Sequence, residues 1–297
     1  MLRHRLLTGT LLVASLLALL WLDGRASAAL RESEAVRRLL GTSDGILLSA
    51  FALAVLAPVL GLELARLLRG AGIHAPGWLT AAAAMLGCAT VRALPAIDDG
   101  ARAGAAVATA LGATLAAALV VHTRGGRIAG SVAAVGGTLA SFAWIGAMLG
   151  AWLLVRTEVG PWVLAGAILT VKASDIGAYA VGMSVGRHKM IPWLSPAKSW
   201  EGLAGGIAFA AAVGALLAWW SGSLEDPRDT VPPLLGAAAG AAFGVVGPFG
   251  DLAESLLKRS GGAKDSGRIL PGMGGLFDVL DSPLLAGPVA WWLLQAR

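Results

Sequence analysis

Residues Val231–Arg259 read VPPLLGAAAGAAFGVVGPFGDLAESLLKR. The first twenty positions of that stretch carry no charge and the last nine carry four, Asp251, Glu254, Lys258 and Arg259. About 20 apolar residues in a helix are what it takes to cross a hydrocarbon core roughly 30 Å thick. The stretch therefore reads as a membrane helix with a charged end. Gly236, Gly240 and Gly244 recur at every fourth position, a spacing that lets helix backbones approach closely, and we read them as packing residues.

The rest of the chain repeats the pattern. Of its 297 residues, 57% are hydrophobic and 14% charged, and the mean hydropathy is +0.74, which excludes an ordinary water-soluble domain. Apolar runs lie near 5–22, 45–68, 77–95, 102–122, 129–155, 160–183, 203–220, 231–257 and 276–294. The expected fold is all-α, a polytopic transmembrane bundle of about nine membrane-spanning helices, divided into an N-terminal scaffold (1–155) and a C-terminal catalytic region (156–297). The first run, preceded by Arg3 and Arg5 and followed by Ala26-Ser27-Ala28, has the outline of a cleavable signal; with eight spans after it, a retained helix is the expectation.

Lys and Arg mark the cytoplasmic side of a membrane protein. A cytoplasmic N-terminus puts Arg66, Arg69, Arg187, Lys189, Lys198, Lys258, Arg259 and Lys264 on that side. The cluster Arg25, Arg31, Arg37 and Arg38 runs against the rule, but Asp23, Glu32, Glu34 and Asp44 accompany it. All five lysines fall between Lys172 and Lys264, in a chain otherwise supplied with arginine. Compact ammonium charges concentrated in one region point to phosphate.

Polar residues inside apolar runs are costly and therefore functional candidates. Positions i, i+3, i+4 and i+7 share one helix face, which groups Asp251, Glu254, Ser255 and Lys258 at the end of the eighth run. It also groups Lys172, Asp175 and Tyr179, the only tyrosine, in the sixth. Between the sixth and seventh runs stands Ser195-Pro196-Ala197-Lys198-Ser199-Trp200-Glu201-Gly202, a loop suited to a base, a headgroup or an anionic lipid surface. After the eighth run come Lys264-Asp265 and then Pro271-Gly272-Met273-Gly274-Gly275, ahead of Asp278 and Asp281. Glycines before a helix start free backbone N–H groups for an anion.

A short loop joins the eighth and ninth runs as antiparallel neighbours, so Asp251 and Asp278 can share a hard cation. Carboxylates without histidine or cysteine beside them suit Mg²⁺. His4, His74, His122 and His188 are scattered, and Cys88 is alone. Carboxylates, cations and glycine backbone together are the components of phosphoryl or nucleotidyl transfer.

From about residue 160 to 294 the sequence resembles the integral-membrane phosphatidate cytidylyltransferases, or CDP-diacylglycerol synthases. The resemblance rests on Ser255-x-x-Lys258-Arg259, Lys264-Asp265, Pro271-Gly272-x-Gly274-Gly275 and Asp278-x-x-Asp281. Two upstream blocks add to it, Asp175-x-Gly177-Ala178-Tyr179 and Ser195-Pro196-x-Lys198-x-Trp200-Glu201-Gly202. Met273 stands where the family usually has His and Val279 where it usually has Arg, while Ile176, Ala197 and Ser199 are milder departures.

The resemblance implies conversion of CTP and phosphatidic acid to CDP-diacylglycerol and pyrophosphate, with Mg²⁺ and sometimes a monovalent cation such as K⁺. It makes Asp251 and Asp278 the metal carboxylates and Ser255 and Lys258 catalytic phosphate contacts; the remaining polar and glycine motif residues, with Lys172 and Glu254, are the expected substrate contacts. The expected partners are the two substrates and the lipid bilayer, with no nucleic acid, and a homodimer by resemblance alone. The expected location is the bacterial cytoplasmic membrane, with the active site facing the cytoplasm. The rival readings are a CTP-dependent polyprenol-type kinase, which would release CDP, and an ion or lipid transporter.

Overall fold

The computed structural model describes residues 2–31, 33, 44–124, 128–224 and 226–296; Glu32, Glu34, Arg37 and Arg38 of the basic cluster lie outside them. Among the described residues, nine long helices follow the nine apolar runs: α1 Leu2–Leu30, α2 Ile46–Gly70, α3 Gly77–Ala96, α4 Gly100–Thr123, α5 Ser131–Val159, α6 Pro161–Val185, α7 Trp200–Ser221, α8 Pro233–Ser260 and α9 Phe277–Leu294. In hydrocarbon no water satisfies backbone groups, so apolar runs of this length close their own hydrogen bonds as helices. Eight of the nine are long and apolar enough to span a membrane. The exception to the sequence expectation is α9, 18 residues long, which carries Asp278, Asp281, Pro283 and Pro288. The chain is an integral-membrane helical bundle, and its described residues include a small antiparallel hairpin, β1 Lys189–Ile191 and β2 Ser195–Ser199.

The chain forms two compact units. The first comprises Met1–Leu153 and Leu257–Val279, so the segment that follows α8 belongs with the N-terminal helices. Its core includes Leu60, Leu64, Ala84, Cys88 and Ile145. Small residues let these helices touch: Thr80 donates its hydroxyl to the Gly61 carbonyl at 2.9 Å, and Ser141 donates to the Thr80 carbonyl at 2.7 Å. Near the start of α9, Phe277 is fully buried and packs edge-on against Trp144 at 5.3 Å. α1 runs past its apolar stretch because its polar end is used: buried Asp23 accepts from the Leu48 amide at 3.1 Å, and Ser27 from the Gly45 amide at 3.2 Å.

The second unit comprises Leu154–Leu256 and Leu280–Arg297. In it α7 lies against α6 and α8 at glycine positions. A Cβ on Gly240 would collide with the Ala210 carbonyl, and one on Gly244 would stand 2.6 Å from the Ile207 Cα, so the four-residue glycine repeat serves packing. α6 begins at Pro161, and buried Asp229 caps it, accepting from the Trp162 and Val163 amides at 2.9 and 3.2 Å. Burial pushes the Asp229 carboxyl above its ordinary range despite those two donors. The hairpin pairs Lys189 with Ser199 and Ile191 with Ser195 and delivers the chain to α7, where Ser199 accepts from the Gly202 amide as N-cap.

Candidate functional site

In the second unit the charged end of α8 meets α9. Asp251, Glu254 and Asp281 place carboxylate oxygens within 4.8 Å of one another, with Glu254 and Asp281 buried. α9 comes this close because Gly250 has no side chain; a Cβ there would strike the Asp281 carbonyl. Two ionised carboxylates 4.8 Å apart repel by about 3.5 kcal/mol at an effective dielectric constant near 20.

Lysines offset part of that charge. The Lys198 ammonium lies 2.8 Å from Asp251 and donates to the Pro248 carbonyl at 2.8 Å. In α6, Lys172 pairs with Asp175 at 3.2 Å, and the charges of both reach Asp281. Asp251, Glu254, Asp281 and Asp175 thus gather about Lys198 and Lys172, a carboxylate-rich grouping suited to cations or protons. Ser255, one turn beyond Asp251, donates its hydroxyl to that carboxylate at 3.3 Å. Every donor here is a hard oxygen, which fits Mg²⁺ and not a thiol- or imidazole-seeking metal.

The loop ahead of α7 presents a different surface. Arg187, His188, Lys189, Pro192, Trp200 and Glu201 line an open depression. Glu201 holds His188 at 2.6 Å and accepts from its backbone amide. Trp200 is largely exposed, Ser195 opens β2, and Tyr179 on α6 is exposed.

In the first unit the motif after α8 builds a cradle around one carboxylate. Asp278 Oδ1 accepts from the Lys258 ammonium at 2.7 Å. Its Oδ2 accepts from the Ser266 amide and hydroxyl, both at 2.8 Å, and from the Gly275 amide at 2.7 Å. The Pro271–Gly274 stretch is a tight turn closed by the Leu270 amide on the Gly274 carbonyl at 2.9 Å. Gly274 sits at φ 96°, and a Cβ there would stand 2.6 Å from Asp278 Oδ2, so glycine is needed for conformation and for space. Met273 is part-buried in this turn and Val279 part-buried in the first turn of α9, while Arg259, Lys264 and Asp265 are exposed.

Most residues singled out from the sequence thus fall into three places: the carboxylate cluster with Lys172, Asp175 and Lys198; the loop with Ser195, Trp200 and Glu201; and the cradle with Lys258, Gly274, Gly275 and Asp278. The sequence pairing of Asp251 with Asp278 took no account of Glu254 and Asp281 as companions of Asp251 in a cation site. It also passed over Ser266 and Glu63. Glu63 is buried in α2 and accepts from the Leu276 and Phe277 amides at 3.1 and 2.8 Å and from the Ser266 hydroxyl at 3.3 Å. It is the only carboxylate in its apolar run, a signal present in the sequence.

The profile of the cytidylyltransferase family matches residues 39–296. The phosphatidate cytidylyltransferase of Mycobacterium bovis is 40% identical over 145 residues, 49% of this chain and 45% of that protein. That of Pseudomonas aeruginosa is 38% identical over 154 residues, 50% of this chain and 55% of that protein. That of Synechocystis is 38% identical over 128 residues, 43% of this chain and 41% of that protein. The matched region spans about half the length of these relatives.

Proposed function

Given that the chain belongs to the cytidylyltransferase family, we propose that it transfers the cytidylyl group of CTP to phosphatidic acid, giving CDP-diacylglycerol and pyrophosphate. The observation that carries this reading is the gathering of Asp251, Glu254 and Asp281 beside Lys198 in a membrane protein. Such an arrangement suits handling of polyanions at the bilayer. The names of the relatives, phosphatidate cytidylyltransferases, support the choice of substrates.

The chemistry asks for no protein nucleophile. A phosphate monoester has a second pKa near 6, so phosphatidate already offers an anionic oxygen at pH 7. That oxygen attacks the α-phosphorus of CTP; the new P–O bond forms as the bond to the β-phosphate oxygen breaks, and pyrophosphate leaves with the electron pair. The protein's task is to hold two polyanions together in line.

Asp251, Glu254 and Asp281 are the residues that would hold Mg²⁺. When bound, Mg²⁺ supplies charge neutralisation for the triphosphate. Lys198 is held by Asp251 and the Pro248 carbonyl within the second unit, an ammonium group in a fixed position for a phosphate oxygen; within the first unit Lys258 is held by Asp278. Exposed Arg259 and Lys264 add attraction for the incoming nucleotide. Trp200 offers a ring face at the loop, for the base or for the lipid interface. The same reading places the lysine-rich loops on the cytoplasmic face of the bacterial inner membrane, where CTP is found, and includes a homodimer as the assembled form.

The test is turnover of purified protein in mixed micelles of phosphatidic acid with CTP labelled at its α-phosphorus, with Mg²⁺ or with EDTA. The reading expects label in a lipid product, pyrophosphate released, and both abolished by EDTA. Label recovered as CDP means a kinase, and no conversion refutes the reading.

A further inference from the structure

We propose that Glu63 is a positioning residue for the Asp278 cradle: a carboxylate from the N-terminal half of the chain that fixes the loop carrying the reactive motif. This rests on the function proposed above for its catalytic consequence, but not for its geometry.

Glu63 is 1% exposed, lies in the second half of α2 and is met by two backbone amides and a hydroxyl. A buried carboxylate in such a place is expensive unless donors surround it. The donors are the Leu276 amide on Oε1, and the Phe277 amide and the Ser266 hydroxyl on Oε2. The two amides belong to the start of α9, whose dipole favours negative charge at that end. Ser266 joins Glu63 to Asp278, since its hydroxyl lies 3.3 Å from the first and 2.8 Å from the second. Its single hydroxyl proton is shared unequally between the two acceptors, with the shorter bond to Asp278 and the longer to Glu63.

The glycines of the motif fit the same account. A Cβ on Gly275 would stand 2.6 Å from Glu63 Oε1 and collide with the Ser266 hydroxyl; one on Gly267 would also press on Glu63 Oε1. These positions are empty of side chain because the Glu63 carboxylate occupies the space. α2 is held close to the segment after α8 at a second point, where Gly70 meets the Gly261 backbone carbonyl; a Cβ on Gly70 would lie 3.0 Å from that oxygen. Glu63 therefore reaches the cradle from a packed helix and fixes where Asp278, and through it Lys258, point.

Glu63→Gln is the decisive variant. Its amide keeps one acceptor, but in either orientation a backbone N–H of Leu276 or Phe277 faces an NH₂ group. Hydrogen exchange and steady-state kinetics are read on the same detergent-purified, full-length protein. The amides of Leu276 and Phe277 should exchange faster, and so should those of Ser266 and Gly275, whose N–H groups donate to Asp278 and not to Glu63, by roughly tenfold, while α3 is unchanged. With it kcat should fall about 10- to 100-fold through misplacement of the cradle, and KM for CTP should stay within about threefold.

Unchanged exchange at Ser266 and Gly275 overturns the inference whatever the activity. Faster exchange with a wild-type kcat overturns it too, by reducing Glu63 to a structural cap. A wild-type protein that makes no CDP-diacylglycerol refutes the functional reading, and exchange at Ser266 and Gly275 then decides the inference alone. If Glu63→Gln fails to fold, Glu63→Asp, which withdraws the carboxylate by one methylene, carries the test by the same two readouts: unchanged exchange at Ser266 and Gly275, or a wild-type kcat, overturns the inference, and faster exchange with a fall like that expected above supports it.

Discussion

Asp278→Asn separates the charge of the cradle from its shape. The asparagine can set its carbonyl oxygen where Oδ2 lies and keep all three donors there, the Ser266 amide and hydroxyl and the Gly275 amide. Its NH₂ then points at the Lys258 ammonium, which in the native protein sits 2.7 Å from Oδ1. The flipped orientation sets NH₂ against three donors and is worse. The loss begins with one charge-assisted hydrogen bond, about 1.5–3 kcal/mol. A mostly buried ammonium that loses this carboxylate raises the cost toward about 3–5 kcal/mol. Lys258 is 14% exposed and relieves part of this by moving outward, so the lower end applies. About 3 kcal/mol taken from the reacting geometry is a loss of roughly 10²-fold in turnover. The assay is label transfer from CTP to lipid in phosphatidate micelles, with monodispersity and thermal unfolding measured on the same sample. If Asp278 acts by holding Lys258, adding Lys258→Met to Asp278→Asn costs little more than either change alone. Activity within about threefold of wild type, or losses that multiply in the double variant, refute that account.

Asp251→Asn and Asp281→Asn each remove one charge from the carboxylate cluster. Each should raise the Mg²⁺ concentration for half-maximal turnover at least about tenfold, or about 1.4 kcal/mol; an unchanged Mg²⁺ titration in both would move the metal elsewhere. Met273→His restores the residue usual in the resembled family within a part-buried turn, and activity should hold or rise; a loss above about tenfold would mean the turn is built around methionine. Asp229 binds its proton more tightly folded than unfolded, because burial raises its carboxyl from the ordinary value of 3.8. Its contribution to stability therefore falls as pH rises from that value through the folded one. Asp229→Asn should flatten that acid-side slope of the unfolding temperature, and an unaltered slope would show that another group sets it.

The helices were legible because the bilayer leaves so few options. A run of about 20 apolar residues in hydrocarbon must satisfy its own backbone, and each of the nine runs does so as a helix. The apolar run near 5–22 ends short of α1, because Asp23 is buried against the Leu48 amide and the helix continues to Leu30. The site was legible in its residue types and less so in its grouping. Asp278 and Asp281, three residues apart, count as one helix face, yet that spacing still separates them by about 60° around the axis. The difference gives them different neighbours: Asp278 faces Lys258 and Ser266, whereas Asp281 gathers with Asp251 and Glu254.

Glu63 marks the boundary of what pattern can deliver. Its cost was visible, a lone carboxylate in an apolar run, but its partners are backbone amides more than two hundred residues away, and an amide has no identity in a sequence. The motif that carries the resemblance is thus incomplete as written. Gly267 and Gly275 are small because of a side chain from α2 that no local spacing contains. It follows that the N-terminal helices do more than anchor the chain in the membrane. An exchange of α2 for a generic apolar helix, with every motif residue from Ser255 to Asp281 intact, should leave the cradle loose and turnover impaired.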